Sequence, residues 1–266
     1  MKKHKLSVII PSYKDPYLHK TIQSIIDNFT GEFEIIPVLD GYWTGFVDDP
    51  RLKVVHLGKN SGMRRAINAG VRVATGKYLM RADEHCLFPK GFDEIMIKDL
   101  KENEIMTATR KFLDPIKWEV MDKKPIGYEK LVIQGIKGEV NKFAGKPWLE
   151  RDEERKDIMI DETMAMQGSC WFMHKSWWDK VIKRLETENY GPLYQDSHEM
   201  IFKTWKAGGR MMLNKNTWFA HKHRKFTRTH NNGTEENPSN NEFSWTNAIN
   251  IWGDYYKKEI KPKWNI

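Results

Sequence analysis

Between residues 5 and 110, short apolar runs alternate with segments of helical period, and this alternation limits the possible folds more than any other feature. "KLSVIIPSY" (5–13) is almost continuously apolar and ends at Pro11, the pattern of a strand buried on both faces of a parallel sheet. "DPYLHKTIQSIIDNF" (15–29) places Leu18, Ile22, Ile25, Ile26 and Phe29 at helical spacing behind Asp15 as N-cap and Pro16 in the first turn. Strands are expected at 33–41, 52–58, 77–83 and 104–110, and helices at 62–74 and 90–103. The order implies an α/β domain with a doubly wound sheet flanked by helices. Ligands of such sheets sit beyond the C-terminal ends of the strands. Tyr13, Asp40 and the triplet Asp83, Glu84, His85 all fall at such ends.

Residues 111–165 change character: charges are dense, Gly and Pro recur, and Trp118 and Trp148 stand isolated. They read as an irregular insertion with a hairpin around "LVIQGIKGEV" (131–140). The regular pattern resumes with a buried strand leading into a helix over 163–182. An amphipathic helix over 196–209 and a last strand over 210–223 follow. The main domain is therefore expected over 1–223. Beyond it, 224–266 reads as a basic, Asn-rich tail ending in a short aromatic helix. Trp171, Trp177, Trp178 and Trp205 lie on periodic apolar faces and are expected in the core. Trp118 and Trp148 are the better candidates for stacking on a ligand.

Bulk properties narrow the class. Apolar runs are too short to span a bilayer, and the basic, briefly apolar start "MKKHKLSVII" runs into a strand pattern rather than a secretory core. Two cysteines, Cys86 and Cys170, are expected as free thiols, which suits a cytoplasmic setting. A net charge of +8 favours phosphate-bearing partners, although solubility alone would also account for it.

Several local runs resemble glycosyltransferase family 2, of GT-A fold, in order and spacing. "SVIIPSY" is similar to that family's opening strand, and "VLDG" to the strand end whose Asp meets the nucleobase. "NSGMRRAINAGVRVATGKYLMRADEH" resembles the run leading to its acidic metal motif, and "QDSHEMIFKTWKAGGR" its late acidic helix. Where the family usually has Asp-x-Asp, this chain has Asp83-Glu84-His85. That version resembles the polypeptide N-acetylgalactosaminyltransferase branch, in which a later His completes the metal site. "WFAHKH" supplies His221, with His223 as the alternate.

The resemblance implies a Rossmann-like mixed sheet and a sugar transfer from a nucleotide sugar, a UDP-sugar by preference. Asp83, His85 and His221 would hold Mn²⁺, or Mg²⁺. Side chains two apart on extended backbone face one way, so Asp83 and His85 can share an ion on local geometry alone. Glu84 reads as a neighbour rather than a ligand. Asp40 would meet the uracil, and the plainer reading is a turn Asp before Gly41. Pro11 and Tyr13 would line the base. Gly62 would let the backbone approach the diphosphate, and Arg65 would meet it, where the plainer reading is a solvated charge. Gln167 and Gly168, at a strand end, would lie under the sugar. Asp196, followed by Glu199 on the same helical face, is the candidate base, or else a residue orienting sugar or acceptor if configuration is retained. The run Arg224–Arg228 would close over the diphosphate as a lid.

The acceptor is expected to be a hydroxyl, on a surface-polysaccharide precursor or on a hydroxymethylated DNA base. Two rivals remain at this point. A nucleotidyltransferase would want a glycine-rich phosphate loop after the first strand, which "PSYKDPY" does not provide. A non-catalytic nucleic-acid-binding protein would use the positive charge but leaves Asp40, Asp83 and His85 without a role.

Overall fold

A computed structural model describes residues 5–46, 48–136, 140–188, 190, 196–223 and 241–266. The alternating region folds as its pattern implies. Strands β1 (Lys5–Ser12), β2 (Glu32–Asp40), β3 (Val55–Leu57) and β4 (Tyr78–Ala82) lie side by side, all parallel. The pairing Leu6↔Tyr78 and Leu6↔Phe33 sets β1 at the centre. Helices α1 (Leu18–Asn28), α2 (Met63–Val73) and α3 (Phe92–Asp99) cover the faces.

After β4 the sheet becomes mixed. β5 (Cys86–Leu87) and β6 (Glu104–Asp114) precede the insertion, and β11 (Cys170–His174) runs antiparallel between β4 and β6. β12 (Arg210–His221) lies parallel to β6 at the far side and pairs with β10 (Ile160–Glu162) and β5. The path is β10-β12-β6-β11-β4-β1-β2-β3, a mixed sheet with helices on both faces, as expected. Two apolar layers pack on it. One, around Ile9, Leu79, Trp171 and Trp178, meets α2 and α6 (Asp196–Lys206). The other, around Ile25, Phe88, Phe92 and Met80, meets α1 and α3. Trp171, Trp177, Trp178 and Trp205 are all buried.

Four expectations change. The first helix begins at Leu18 with no side-chain cap; Asp15 instead accepts the Tyr17 amide in a tight turn, at 2.8 Å. The third strand shortens to three residues. Residues 111–165 are far from irregular: β6 continues to Asp114, β7 (Glu119–Val120) pairs with it, and β8 (Glu129–Ile136) and β9 (Val140–Pro147) form a hairpin. A short helix α4 (Leu149–Glu154) follows. The dense charges that suggested irregularity are largely consumed internally, as where Asp161 receives Arg151, Arg155 and the Tyr128 hydroxyl. Finally, residues 163–169 are not a strand. Thr163 and Ala165 donate their amides to Met211 and Glu129, and β11 starts only at Cys170.

The carboxyl-terminal stretch is part of the core. α7 (Asn241–Tyr255), its continuation Tyr256–Ile260 in a wider helical turn, and α8 (Lys261–Lys263) bury Ala248, Tyr256 and Ile260. Trp252 stacks on Phe202 of α6 with ring centroids 5.2 Å apart. The basic run Arg224–Arg228, expected as a lid, and Gln195 lie outside the described residues. Cys86 and Cys170 are buried free thiols, and burial pushes both thiols up from their ordinary value.

Candidate active site

The polar cluster forms where β4 ends. Asp83 leaves the sheet with its amide bonded to the Ser169 carbonyl at 2.8 Å, and the chain re-enters as β5. β5 pairs antiparallel with the last residues of β12, His221 opposite Cys86. That register sets His221 beside His85, although 136 positions separate them. Their Nε2 atoms are 3.0 Å apart; His221 Nε2 is 3.0 Å, and His85 Nε2 3.8 Å, from Asp83 Oδ2. Donors held at about 2.1 Å around one octahedral ion stand roughly 3 Å from one another, so the three atoms suit a divalent cation. The donor set, one carboxylate and two imidazoles, also suits Mn²⁺.

The protonation states fit. Burial opposes charge on Asp83, but Arg81 and the two imidazoles more than offset it and leave the carboxyl well below its usual range. Burial pushes His221 down to about 3 despite its hydrogen bond to Asp83, so its ring is neutral at neutral pH. Behind His85, Asp15 Oδ2 lies 3.2 Å from Nδ1. A proton held there leaves the Nε2 lone pair facing the ligand position, the usual way a carboxylate orients a metal-binding imidazole. Glu84 turns away from this centre and accepts the Tyr13 amide at 3.0 Å. Among the described residues a second grouping of Asp15, Glu84 and His85 could also gather a cation. It shares His85 through Nδ1, the atom already facing Asp15.

Asp40 ends β2, and its two carboxylate oxygens accept the amides of Ser61 and Gly62 at 2.6 and 2.7 Å. It is 4% exposed, and burial lifts its carboxyl despite those amides and the nearby charge of Arg65. Asp40 thus pins the start of α2 against the sheet edge. Gly41 and Gly62 both adopt positive φ, 78° and 89°, and a Cβ on Gly41 would strike the Asn60 backbone. The doublet Arg64-Arg65 splits by helical geometry. Arg65 is exposed and lines a cavity of about 590 Å³ along α2 with Ser61 and Arg72. Arg64 is fully buried, lies over the Tyr190 ring and pairs with Glu199. Pro11 is buried within β1, and Tyr13 follows that strand half-buried, edge-on to Tyr42.

A second cavity of about 450 Å³ is lined by Gln167, Gly168, Asp196, Arg110, Glu129 and Lys142, among others. A Cβ on Gly168 would sit 3.1 Å from Asp196 Oδ2 and 3.2 Å from Arg81 Nη1. Arg81 also holds Asp83 Oδ1 at 2.5 Å and acts on Asp196 through its charge, so this one guanidinium serves both the Asp83–His85–His221 cluster and Asp196. Burial raises the Asp196 carboxyl, and its Oδ2 has no hydrogen-bond partner among the described residues. Glu199, expected beside it, is not in this cavity. Its carboxylate takes Arg64, Lys203 at 2.7 Å and the Glu186 amide at 3.1 Å, which is a structural post. His223 lines the cavity and not the metal cluster. Trp118 stacks on Tyr17, and Trp148 packs on Trp264, away from both cavities.

Sequence reasoning missed Asp15, Arg81 and the Arg110–Glu129 pair. The signal for Arg81 was present, an arginine inside the apolar run "YLMRA".

The family model for glycosyl transferase family 2 matches residues 7–182. Human polypeptide N-acetylgalactosaminyltransferase 18 is 24% identical over 261 residues, 94% of this chain and 40% of that protein. An uncharacterized glycosyltransferase of Rickettsia conorii is 34% identical over 110 residues, 38% of this chain and 18% of that protein. The crystal structure of GalNAc-T7 with UDP, GalNAc and Mn²⁺ superposes with a TM-score of 0.70 at 16% identity, over 97% of this chain and 50% of that one. The chain therefore spans less than half the length of these curated relatives and half of that structure. The shared fold is GT-A.

Proposed function

The chain belongs to glycosyl transferase family 2, and from that membership we propose that it transfers a sugar from a UDP-linked donor to a hydroxyl acceptor in a metal-dependent reaction. The observation that carries the proposal is the convergence of Asp83, His85 and His221 on one ion position at the C-terminal edge of the sheet. The solved neighbour was crystallised with UDP, GalNAc and Mn²⁺, which supports the same class of donor and ion here.

Asp83, His85 and His221 hold Mn²⁺ or Mg²⁺, and Asp15 keeps His85 oriented. Bound there, the ion would supply neutralisation of the diphosphate leaving group. Asp40 fixes the Ser61–Gly62 turn, so that the backbone at the start of α2 and the Arg65 side chain face the nucleotide. Pro11 and Tyr13 border the base. Gln167 and Gly168 form the floor under the sugar. The unpartnered Oδ2 of Asp196 accepts the hydrogen bond of a sugar or acceptor hydroxyl. In the transfer, the acceptor oxygen bonds to the anomeric carbon as that carbon's bond to UDP breaks, and the hydroxyl proton is released. A purely nucleic-acid-binding role has no use for two buried imidazoles around a carboxylate.

The test is UDP release from a panel of nucleotide sugars, with and without Mn²⁺. Metal-dependent release by the wild type, lost in His85→Ala, supports the proposal and names the donor. Neither release nor metal-dependent stabilisation by any nucleotide would overturn it.

A further inference from the structure

Two buried polar groups of opposite kind, on residues lining the 450 Å³ cavity, keep atoms without a partner among the described residues. One is Asp196 Oδ2. The other is the Arg110 guanidinium, on a residue only 6% exposed. Glu129 accepts Arg110 Nη2 at 2.7 Å, while Nε and Nη1 have no partner among the described residues. Leaving a cationic donor buried and unmatched costs stability, and native proteins retain few such groups. The β6 backbone holds Arg110 in place through a reciprocal pair with Ile126, at 2.9 and 2.8 Å. Its placement is therefore built into the sheet edge.

The cavity lining holds two cations and two carboxylates. Arg110 pairs with Glu129, and Lys142 from β9 is the second cationic group, in the same lining as Asp196. Lys142 lies over the Trp245 ring at 4.8 Å, which keeps its ammonium at the cavity wall. Desolvation keeps His198 neutral at neutral pH, pushed down to about 4. Guanidinium is the side chain best matched to carboxylate and phosphoryl oxygens.

We infer that this cavity is the acceptor subsite, and that Arg110 selects acceptors carrying an oxyanion in the same molecule as the hydroxyl that receives the sugar. The inference rests on the proposed transfer reaction, which gives Asp196 a hydroxyl to meet. Arg110 is a specificity residue here, and Glu129 is its internal competitor: it occupies one side of the guanidinium until an acceptor anion arrives.

The experiment is calorimetric titration of methyl phosphate and, separately, acetate into the protein already saturated with Mn²⁺ and UDP. The UDP titration comes first and reports on the donor reading by itself; filling that site also prevents the anions from binding there. Wild type is expected to bind at least one anion, and the preferred one names the oxyanion as phosphoryl or carboxylate. Arg110→Gln should weaken that binding about tenfold, the size of one lost charge-assisted hydrogen bond. Glu129→Gln should tighten it, because the competing carboxylate is gone. A merely structural ion pair would give no anion binding in any form. Absence of binding by wild type once UDP is bound, or equal binding by wild type and a folded Arg110→Gln, overturns the inference. If Arg110→Gln does not fold, Glu129→Gln decides alone: tighter binding supports the inference, and unchanged or weaker binding overturns it.

Discussion

The two sides of the site are built differently. On the proposed donor side, along the ends of β1, β2 and β4, the carboxylates are already paired by the protein. Asp40 holds two backbone amides, Glu84 holds the Tyr13 amide, and Asp15 faces His85. On the proposed acceptor side, between β6, the β8–β9 hairpin and α6, the Asp196 carboxylate keeps an oxygen, and the Arg110 guanidinium two nitrogens, without a partner among the described residues. On that reading, a surface that always meets the same nucleotide and ion can be fixed in advance. One that must choose a partner keeps its pairing groups free.

The largest effect should come from the strut joining the two sides. Arg64 on α2 meets Glu199 on α6, both essentially inaccessible to solvent. Arg64→Leu would leave Glu199 with the Glu186 amide and, as its counter-charge, the partly exposed Lys203, and should cost about 3 kcal/mol in chemical denaturation. An unchanged midpoint would mean the two sides are held together elsewhere.

Next is the ion position. His221→Ala should reduce metal-dependent UDP release more than about a hundredfold, beyond what losing an orienting partner costs. The contrast would break if Asp196→Asn removed metal binding equally, since Asp196 touches no proposed ligand.

A pH dependence follows from the acceptor side. His198 is half-buried, and desolvation brings its folded-state value to about 4, against an ordinary value of 6.5. The unfolded chain therefore takes up its proton first as pH falls. Stability should decline by roughly 3 kcal/mol between pH 7 and pH 4 through this group, and His198→Gln should flatten that slope. Urea midpoints across the range check it.

The smallest effect belongs to Asp15. Asp15→Asn keeps the shape but weakens the hold on His85, and should lower Mn²⁺ affinity about tenfold with little change in UDP affinity. Equal losses in both would mean Asp15 supports the whole loop rather than one imidazole.

The parallel half of the sheet was legible because its elements are local: each strand is a contiguous apolar run, and each helix carries its own period. Asp40, Asp83 and His85 stood out as polar groups at the ends of such runs. His221 required a resemblance to be singled out, since its place depends on the β5–β12 register. Asp15 looked like a helix cap because that role is local, whereas its contact with His85 joins positions 70 apart. The hairpin of the insertion was expected from the sequence, but the regular elements around it were not, because their charges are matched by distant partners, such as Arg110 with Glu129. Sequence periodicity carries no trace of such pairings.

The two-residue strand β5 has a consequence for how the protein matures. The proposed ion position needs Asp83 and His85 from the first third of the chain, and His221 is the last residue of β12, the final strand among the described residues. Contacts of such separation close late in folding. A chain emerging from synthesis would hold two donors for a long interval before gaining the third. Full metal affinity would then mark a completed sheet, and excess cation would favour finished molecules over partly assembled ones by mass action.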